Sequence, residues 1–321
     1  MSKDLSEVIG RVIPAPENFL SPEKLEQARK ARRSFMGKAL AMGAGVAATA
    51  GAATRAMAAD GEEAILKMPE HSTGLGQAVA IEDGYGKPSK WETNLRRRQS
   101  PGLTRVDQAS VSFTPLQGLF GIITPSGLHF ERHHQGWWDI DPSKHRLMVN
   151  GLVKRQRVFT MDDLMRLPSV SRIHFIECGA NSAPEWGNVA LPSVQYTHGM
   201  ISCSEFTGVL LSTLLEMCGY DKKLGRYVLA EGADGSSMTR TIDIERAMDD
   251  CIVAWAMNGE MLRPENGYPL RLVVPGIQGV SWVKYLRRLE VGDQKWATKD
   301  EAIHYIDHMP DGTHRQYTGI Q

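Results

Sequence analysis

The residues with the clearest chemical capacity lie in Arg172-Ile173-His174-Phe175-Ile176-Glu177-Cys178-Gly179-Ala180-Asn181-Ser182. Ile173, Phe175 and Ile176 read as a short buried strand that delivers Cys178 to a loop, and Gly179 lets the chain turn at once behind it. A thiol presented there can be a metal ligand or a nucleophile. It can equally be a free cysteine that packs as a small hydrophobe. Further polar and charged side chains gather in four other loops. Phe130-Glu131-Arg132-His133-His134 holds a guanidinium beside two imidazoles, and Glu231-Gly232-Ala233-Asp234 ends on a carboxylate. Asn266 to Gly276 carries Arg271 between glycines and prolines, and Ser281-Trp282-Val283-Lys284 ends on an ammonium.

The elements that must position these loops are short. Arg146 to Val153 reads as a hairpin turning at Asn150-Gly151. Thr160 caps a helix with Asp162 and Asp163 in its first turn, and Pro168 closes it. Phe206 to Met217 is apolar at helical spacing, with Gly219 as a stop. Arg226 to Ala230 reads as a strand, and Ile252–Met257 with Met261-Leu262 as a hairpin about Asn258-Gly259. Leu270–Val274 and Trp282–Val291 supply two more strands around the loop Pro275–Gly279. The alternation lacks a strict βαβ period, which predicts an α+β fold with mixed sheets and short helices.

Composition narrows the classes. The 321 residues carry 37 basic and 37 acidic side chains with 42% apolar content, an ordinary globular balance. Zero formal net charge gives no pull toward nucleic acid or an anionic membrane, and no segment reads as a membrane span. Four cysteines are too few for a disulfide framework. There is no CxxCH for c-type haem and no ferredoxin-like run. Near the N-terminus, Arg32-Arg33 precedes a mildly apolar stretch from Ala39 to Ala53 and then Ala56-Met57-Ala58. This resembles a twin-arginine export signal over residues 1–58, and predicts a periplasmic protein exported folded, often around a cofactor. Residues 59–115 read as an extended N-terminal arm, with Arg96-Arg97-Arg98 either solvated or clamping a neighbouring segment.

Taken together, the loops at Phe130–His134, Cys178–Asn181, Glu231–Asp234, Asn266–Gly276 and Trp282–Lys284 resemble in order and spacing the molybdopterin domain of the sulfite oxidase family. The likeness covers roughly Phe120 to Trp296 and is strongest toward the branch of sulfane dehydrogenase molybdenum subunits. It implies a molybdenum–molybdopterin cofactor with Cys178 as the one protein ligand to the metal, thiolate being the soft donor such a site takes. It implies cofactor contacts from Phe130, Arg132, His133, His134, Asp234, Asn266, Arg271, Ser281, Trp282 and Lys284. Within that set Arg271 offers a fork for phosphate and Lys284 a point charge. Catalytic roles fall to Cys178, Arg132 and Glu301.

The departures from the family pattern carry information of their own. Asn266 stands where a histidine is usual, Ser182 and Ala183 where classical sulfite oxidases have an arginine pair, and Glu301 where an active-site tyrosine is expected. Loss of an arginine weakens the case for free sulfite and suits sulfane sulfur carried on a partner protein. The implied enzyme is a periplasmic dehydrogenase of thiosulfate oxidation that passes electrons to a cytochrome c. Alternatives are a methionine sulfoxide reductase-like subunit and a non-catalytic exported binding protein. The molybdopterin domain is expected over residues 116–300. Residues 301–321 would begin a linker to an immunoglobulin-like dimerisation domain absent from this chain, through which a homodimer or heterotetramer would form. Trp137 and Trp138 could line a funnel or belong to core and rim. Cys218 and Cys251 read as buried and inert, Cys203 has no motif around it, and His304 with His308 reads as a solvated helix face.

Overall fold

The computed structural model describes residues 74–76, 84–100, 107–186, 193–236, 238–296, 298, 301 and 305–316, with residues 186, 306–308 and 314–316 by their backbone alone. The twin-arginine segment and the side chains of His304 and His308 lie outside the described residues. Two compact units divide the chain, Met1–Gly86 and Lys87–Gln321, and the second carries the described strands and helices.

In that unit β1 (Arg98–Gln99), β2 (Val111–Phe113) and β3 (Glu131–Arg132) make a small antiparallel sheet. A five-stranded mixed sheet follows the order β5-β4-β13-β8-β9. Its members are β4 (Leu147–Gly151), β5 (Arg157–Phe159), β8 (Tyr227–Gly232), β9 (Thr239–Asp243) and β13 (Leu286–Gly292), with β4 and β13 the parallel pair. A second five-stranded sheet contains β6 (Ser169–Glu177), β7 (Ile201–Leu210), β10 (Ile252–Met257), β11 (Glu260–Met261) and β12 (Arg271–Val273). Its order is β11-β10-β7-β6, with β12 also on β10. The hairpin β14 (Ile306–His308) and β15 (His314–Gln316) stands apart. The helices are short: α1 (Met161–Met165), α2 (Ala183–Trp186), α3 (Val194–His198), α4 (Leu211–Cys218) and α5 (Ile244–Asp249). This is the α+β arrangement of mixed sheets expected above.

Several local expectations hold for the reasons given. Thr160 and Asp163 form a reciprocal capping box on α1. Thr160→Ala is therefore expected to lower stability by about 1 kcal/mol, read by urea denaturation, with cofactor content unchanged. Asn258 (φ 53°) and Gly259 (φ 79°) turn the β10–β11 hairpin in the left-handed region such a turn demands. Cys218 and Cys251 are buried, and burial pushes the Cys251 thiol up to about 12.

Others are corrected. Asn150-Gly151 is not a turn: β4 is paired on both sides and runs through Gly151, which faces Val291 of β13. A Cβ on Gly151 would lie 2.2 Å from the Val291 carbonyl oxygen, so close strand packing and a φ of +84° select glycine there. Phe206 to Leu210 is strand, and only Leu211–Cys218 is helical. Pairing to β6 and β10 on either side decides this against the helical spacing. Ile173 and Phe175 are half exposed because they lie on the less covered face of the sheet, paired with the part-exposed Glu205 and Cys203 of β7; Ile176 on the other face is buried. The strand expected from Trp282 starts at Leu286, since Tyr285 has φ 55° and breaks the extended run.

The two larger sheets share one apolar core. Trp282 and Phe206 meet edge to face at its centre, 5.6 Å between centroids, each burial worth about 1.5–3 kcal/mol. The core is the rigid base from which the loops described next emerge.

Candidate active site

Register fixes where the sulfur goes. Glu177 of β6 pairs with Ile201 of β7, and Cys178 follows one residue past the ladder, its N–H donating to the Met200 carbonyl at 3.0 Å. Asn181 closes the loop behind it by donating from Nδ2 to Glu177 at 2.9 Å and accepting from the Met200 N–H at 3.1 Å. Both ends of that amide are spent on shape. Gly179 lies against Gln278, where a Cβ would come within 2.4 Å of the side-chain oxygen. The Pro275–Gly279 loop is thus laid directly on the cysteine turn.

Cys178 opens into a cavity. Phe130, Arg132, His133, His134, Asp234, Asn266, Arg271, Trp282 and Lys284 line it with Cys178. Loops from distant parts of the sequence therefore converge on one place. Ser281 is buried in the adjoining turn and does not reach the lining. Glu301 does not reach it either. Its carboxylate is buried and accepts from the Thr241 N–H at 2.7 Å, the Thr241 hydroxyl at 3.0 Å and the Thr298 hydroxyl at 2.9 Å, so it braces β9. The residue of that region in the lining is Tyr305, whose ring packs 4.8 Å from the Arg240 guanidinium. The expectation that Glu301 stands in the cavity is thus corrected: its carboxylate is spent on Thr241 and Thr298. Sequence reading also passed over His129 and Glu265, direct neighbours of residues it did select, which line the cavity too. Trp137 and Trp138 are exposed next to Gly136 of the lining. Ser182 and Ala183, the departures from an arginine pair, put no charge into it.

The electrostatics are unusual for a closed protein interior. The backbone bridge Arg271↔Lys284 brings two cations side by side. Lys284 Nζ donates to the Arg132 carbonyl at 3.3 Å, the Glu265 carbonyl at 3.2 Å and His133 Nδ1 at 2.9 Å. His133 in turn donates from Nε2 to Glu131, which is also held by Arg97. That arginine reaches the His129 carbonyl as well, so the Arg96–Arg98 run is in part a clamp on this wall. Arg271 donates from Nη1 to the Asn266 carbonyl at 3.0 Å, while its Nε has no hydrogen-bond partner. The hydrogen bonds of Arg271 and Lys284 go to neutral groups, while the carboxylates of Asp234 and Glu265, on the same lining, act on Lys284 through their charge. Two buried cations side by side are costly, and these carboxylates offset that only in part. Burial first, then Arg271, lowers Lys284 to about 7, and burial lowers Arg271 to about 10.

That imbalance tests the cofactor. A pterin phosphate would add an anion between a guanidinium fork and an ammonium, and the orphaned Arg271 Nε offers it a further donor. Cys178 supplies sulfur in the same cavity. Burial raises its thiol, with the Ala180 N–H and the Arg132 charge acting against that, and a high-valent metal would take it as thiolate. Among the described residues no group of three or more His, Cys, Asp or Glu could hold a bare ion. The residues present fit a metal carried by an organic chelate.

A pH prediction follows for the cofactor-free protein. Unfolded, Lys284 keeps its proton up to its ordinary 10.5; folded, it releases it near 7. Between those values the folded state binds fewer protons, so this group makes stability rise with pH. Lys284→Met is expected to remove that rise, measured by denaturant titrations at pH 7 and pH 9.

Comparison with known proteins agrees with this chemistry. The family described as oxidoreductase molybdopterin binding domain matches residues 134–299. The chain belongs to these molybdopterin-binding oxidoreductases, of the sulfite oxidase family. The crystal structure of the sulfane dehydrogenase SoxCD from Paracoccus pantotrophus is similar at 43% sequence identity and a TM-score of 0.76, covering 80% of this chain and 66% of that one. Among curated relatives, the NADPH nitrate reductase of Phytophthora infestans is 33% identical over 193 residues, 56% of this chain and 21% of its own length. The NADH nitrate reductase of Solanum lycopersicum is 36% identical over 209 residues, 60% of this chain and 22% of its own length. The chain thus spans about a fifth of the length of these nitrate reductases.

Proposed function

We propose that this chain is the molybdenum subunit of a periplasmic sulfur dehydrogenase. Its substrate would be sulfane sulfur on the cysteine of a carrier protein, in thiosulfate oxidation, and its electron acceptor a cytochrome c. The observation that carries the reading is the 43% identity to a sulfane dehydrogenase over 80% of the chain. Bound here, molybdenum–molybdopterin supplies two-electron oxidation at sulfur, and the protein's share is to hold, orient and shield. Cys178 would hold the metal by its sulfur, while Arg271 and Lys284 would hold the phosphate. Arg132 and Tyr305 bring a cation and a hydroxyl to the cavity, with Arg240 packed against the tyrosine ring. The neutral Ser182–Ala183 segment gives little purchase to a free dianion and suits a substrate anchored by its own protein.

The nitrate reductase relatives favour a second reading, reduction of nitrate in the same pocket. Purified holoprotein decides between them. Cytochrome c reduction with a sulfane-loaded carrier peptide, and no turnover of nitrate or methionine sulfoxide with reduced viologen, is the expected result. Nitrate reduction without sulfur oxidation would establish the second reading, and protein free of molybdenum and pterin would overturn both.

A further inference from the structure

His129 is the least explained polar side chain of the cavity. Its ring lines the cavity and is only 1% exposed. Nδ1 lies 2.9 Å from the Phe130 carbonyl, which can only accept, so Nδ1 carries the proton. Nε2 then presents a lone pair, and it has no partner. Burial, followed by the charges of Arg271, Arg97 and Lys284, lowers the imidazole to about 3, which keeps that lone pair free at neutral pH. Asn266, equally buried, packs against the same ring with its side-chain amide 3.5 Å from His129 Nδ1. A buried lone pair without a partner repels a phosphate oxygen and matches an N–H group, and the donors of a molybdopterin are the N–H groups of its pterin. The cations that suit phosphate are Arg271 and Lys284.

We propose that His129 is a cofactor-binding residue whose Nε2 accepts a hydrogen bond from an N–H of the pterin. The assignment rests on the molybdopterin reading of the site and goes beyond it by giving the ring end of the cofactor an acceptor. The stacked Phe130, 5.1 Å from the imidazole, holds the acceptor in place.

The test compares wild-type, His129→Leu and His129→Gln holoproteins. Molybdenum per chain, pterin fluorescence after oxidative release, and the rate of pterin loss on gel filtration are measured, together with thermal unfolding of the cofactor-free forms. His129→Leu is expected to lose pterin about tenfold faster, one buried hydrogen bond, with no loss of cofactor-free stability, because an orphaned buried nitrogen is removed. His129→Gln keeps an acceptor and is expected to retain pterin close to the wild-type rate. Wild-type retention in His129→Leu, a leucine effect confined to cofactor-free stability, or no rescue by glutamine would overturn the proposal. Pterin present in wild type and equally in His129→Leu sinks only this assignment. A wild-type protein without pterin sinks the molybdopterin reading with it.

Discussion

Cys178→Ser is expected to abolish turnover while leaving a folded protein. Changes to groups that merely orient a metal ligand cost 10–100-fold in metal affinity or activity, so, with Cys178 proposed as the ligand itself, its loss should exceed about a hundredfold. The fold has little stake in the thiol. Its loop is shaped by the Cys178 N–H on Met200, by the Asn181 amide and by the Ser182 N–H on Thr197, none of which uses the sulfur. Circular dichroism and the thermal midpoint of cofactor-free protein should therefore change little. Activity with a cytochrome acceptor, molybdenum content and the sulfur-to-metal absorption of holoprotein report the loss. Near-normal turnover in the serine variant would remove Cys178 from the metal. Metal binding also takes a proton from a thiol that burial holds up. Loading should thus weaken as pH falls.

Arg271→Ala is the second large effect, and it acts on occupancy. A hydrogen bond to a charged group contributes about 1.5–3 kcal/mol, so losing the phosphate fork should weaken cofactor retention by roughly tenfold to 150-fold. The empty protein should respond differently. Arg271 is buried beside Lys284 and 6.0 Å from the Trp282 ring, and its charge is one reason the lysine titrates low. Without it Lys284 should titrate higher, a rise that NMR of the lysine side chain would detect. Unchanged molybdenum occupancy in Arg271→Ala would assign the phosphate elsewhere.

Much of the cavity wall was legible in the sequence because each part announced itself locally. A cysteine before a glycine, a Gly/Pro-framed arginine and a Trp-Val-Lys end carry turn chemistry and charge that survive without coordinates. What was lost depended on pairing between distant segments. Phe206–Leu210 looked helical until β6 and β10 flanked it, and Asn150-Gly151 looked like a turn until β13 lay along it. Ile173 and Phe175 looked buried because which face of a sheet another layer covers is not written in a strand's own residues. Glu301 was misplaced for a related reason: its carboxylate serves β9, and Tyr305 four residues on reaches the cavity. His129 carried no signal beyond adjacency to Phe130.

Arg97 clamps one wall, Lys284 closes another, and Tyr305 lines the same space. A ribosome must therefore have passed position 305 before the receptacle exists at all. A cofactor held there could enter only once these distant segments have come together. In the periplasmic reading, the transport machinery would receive a loaded globule rather than a thread.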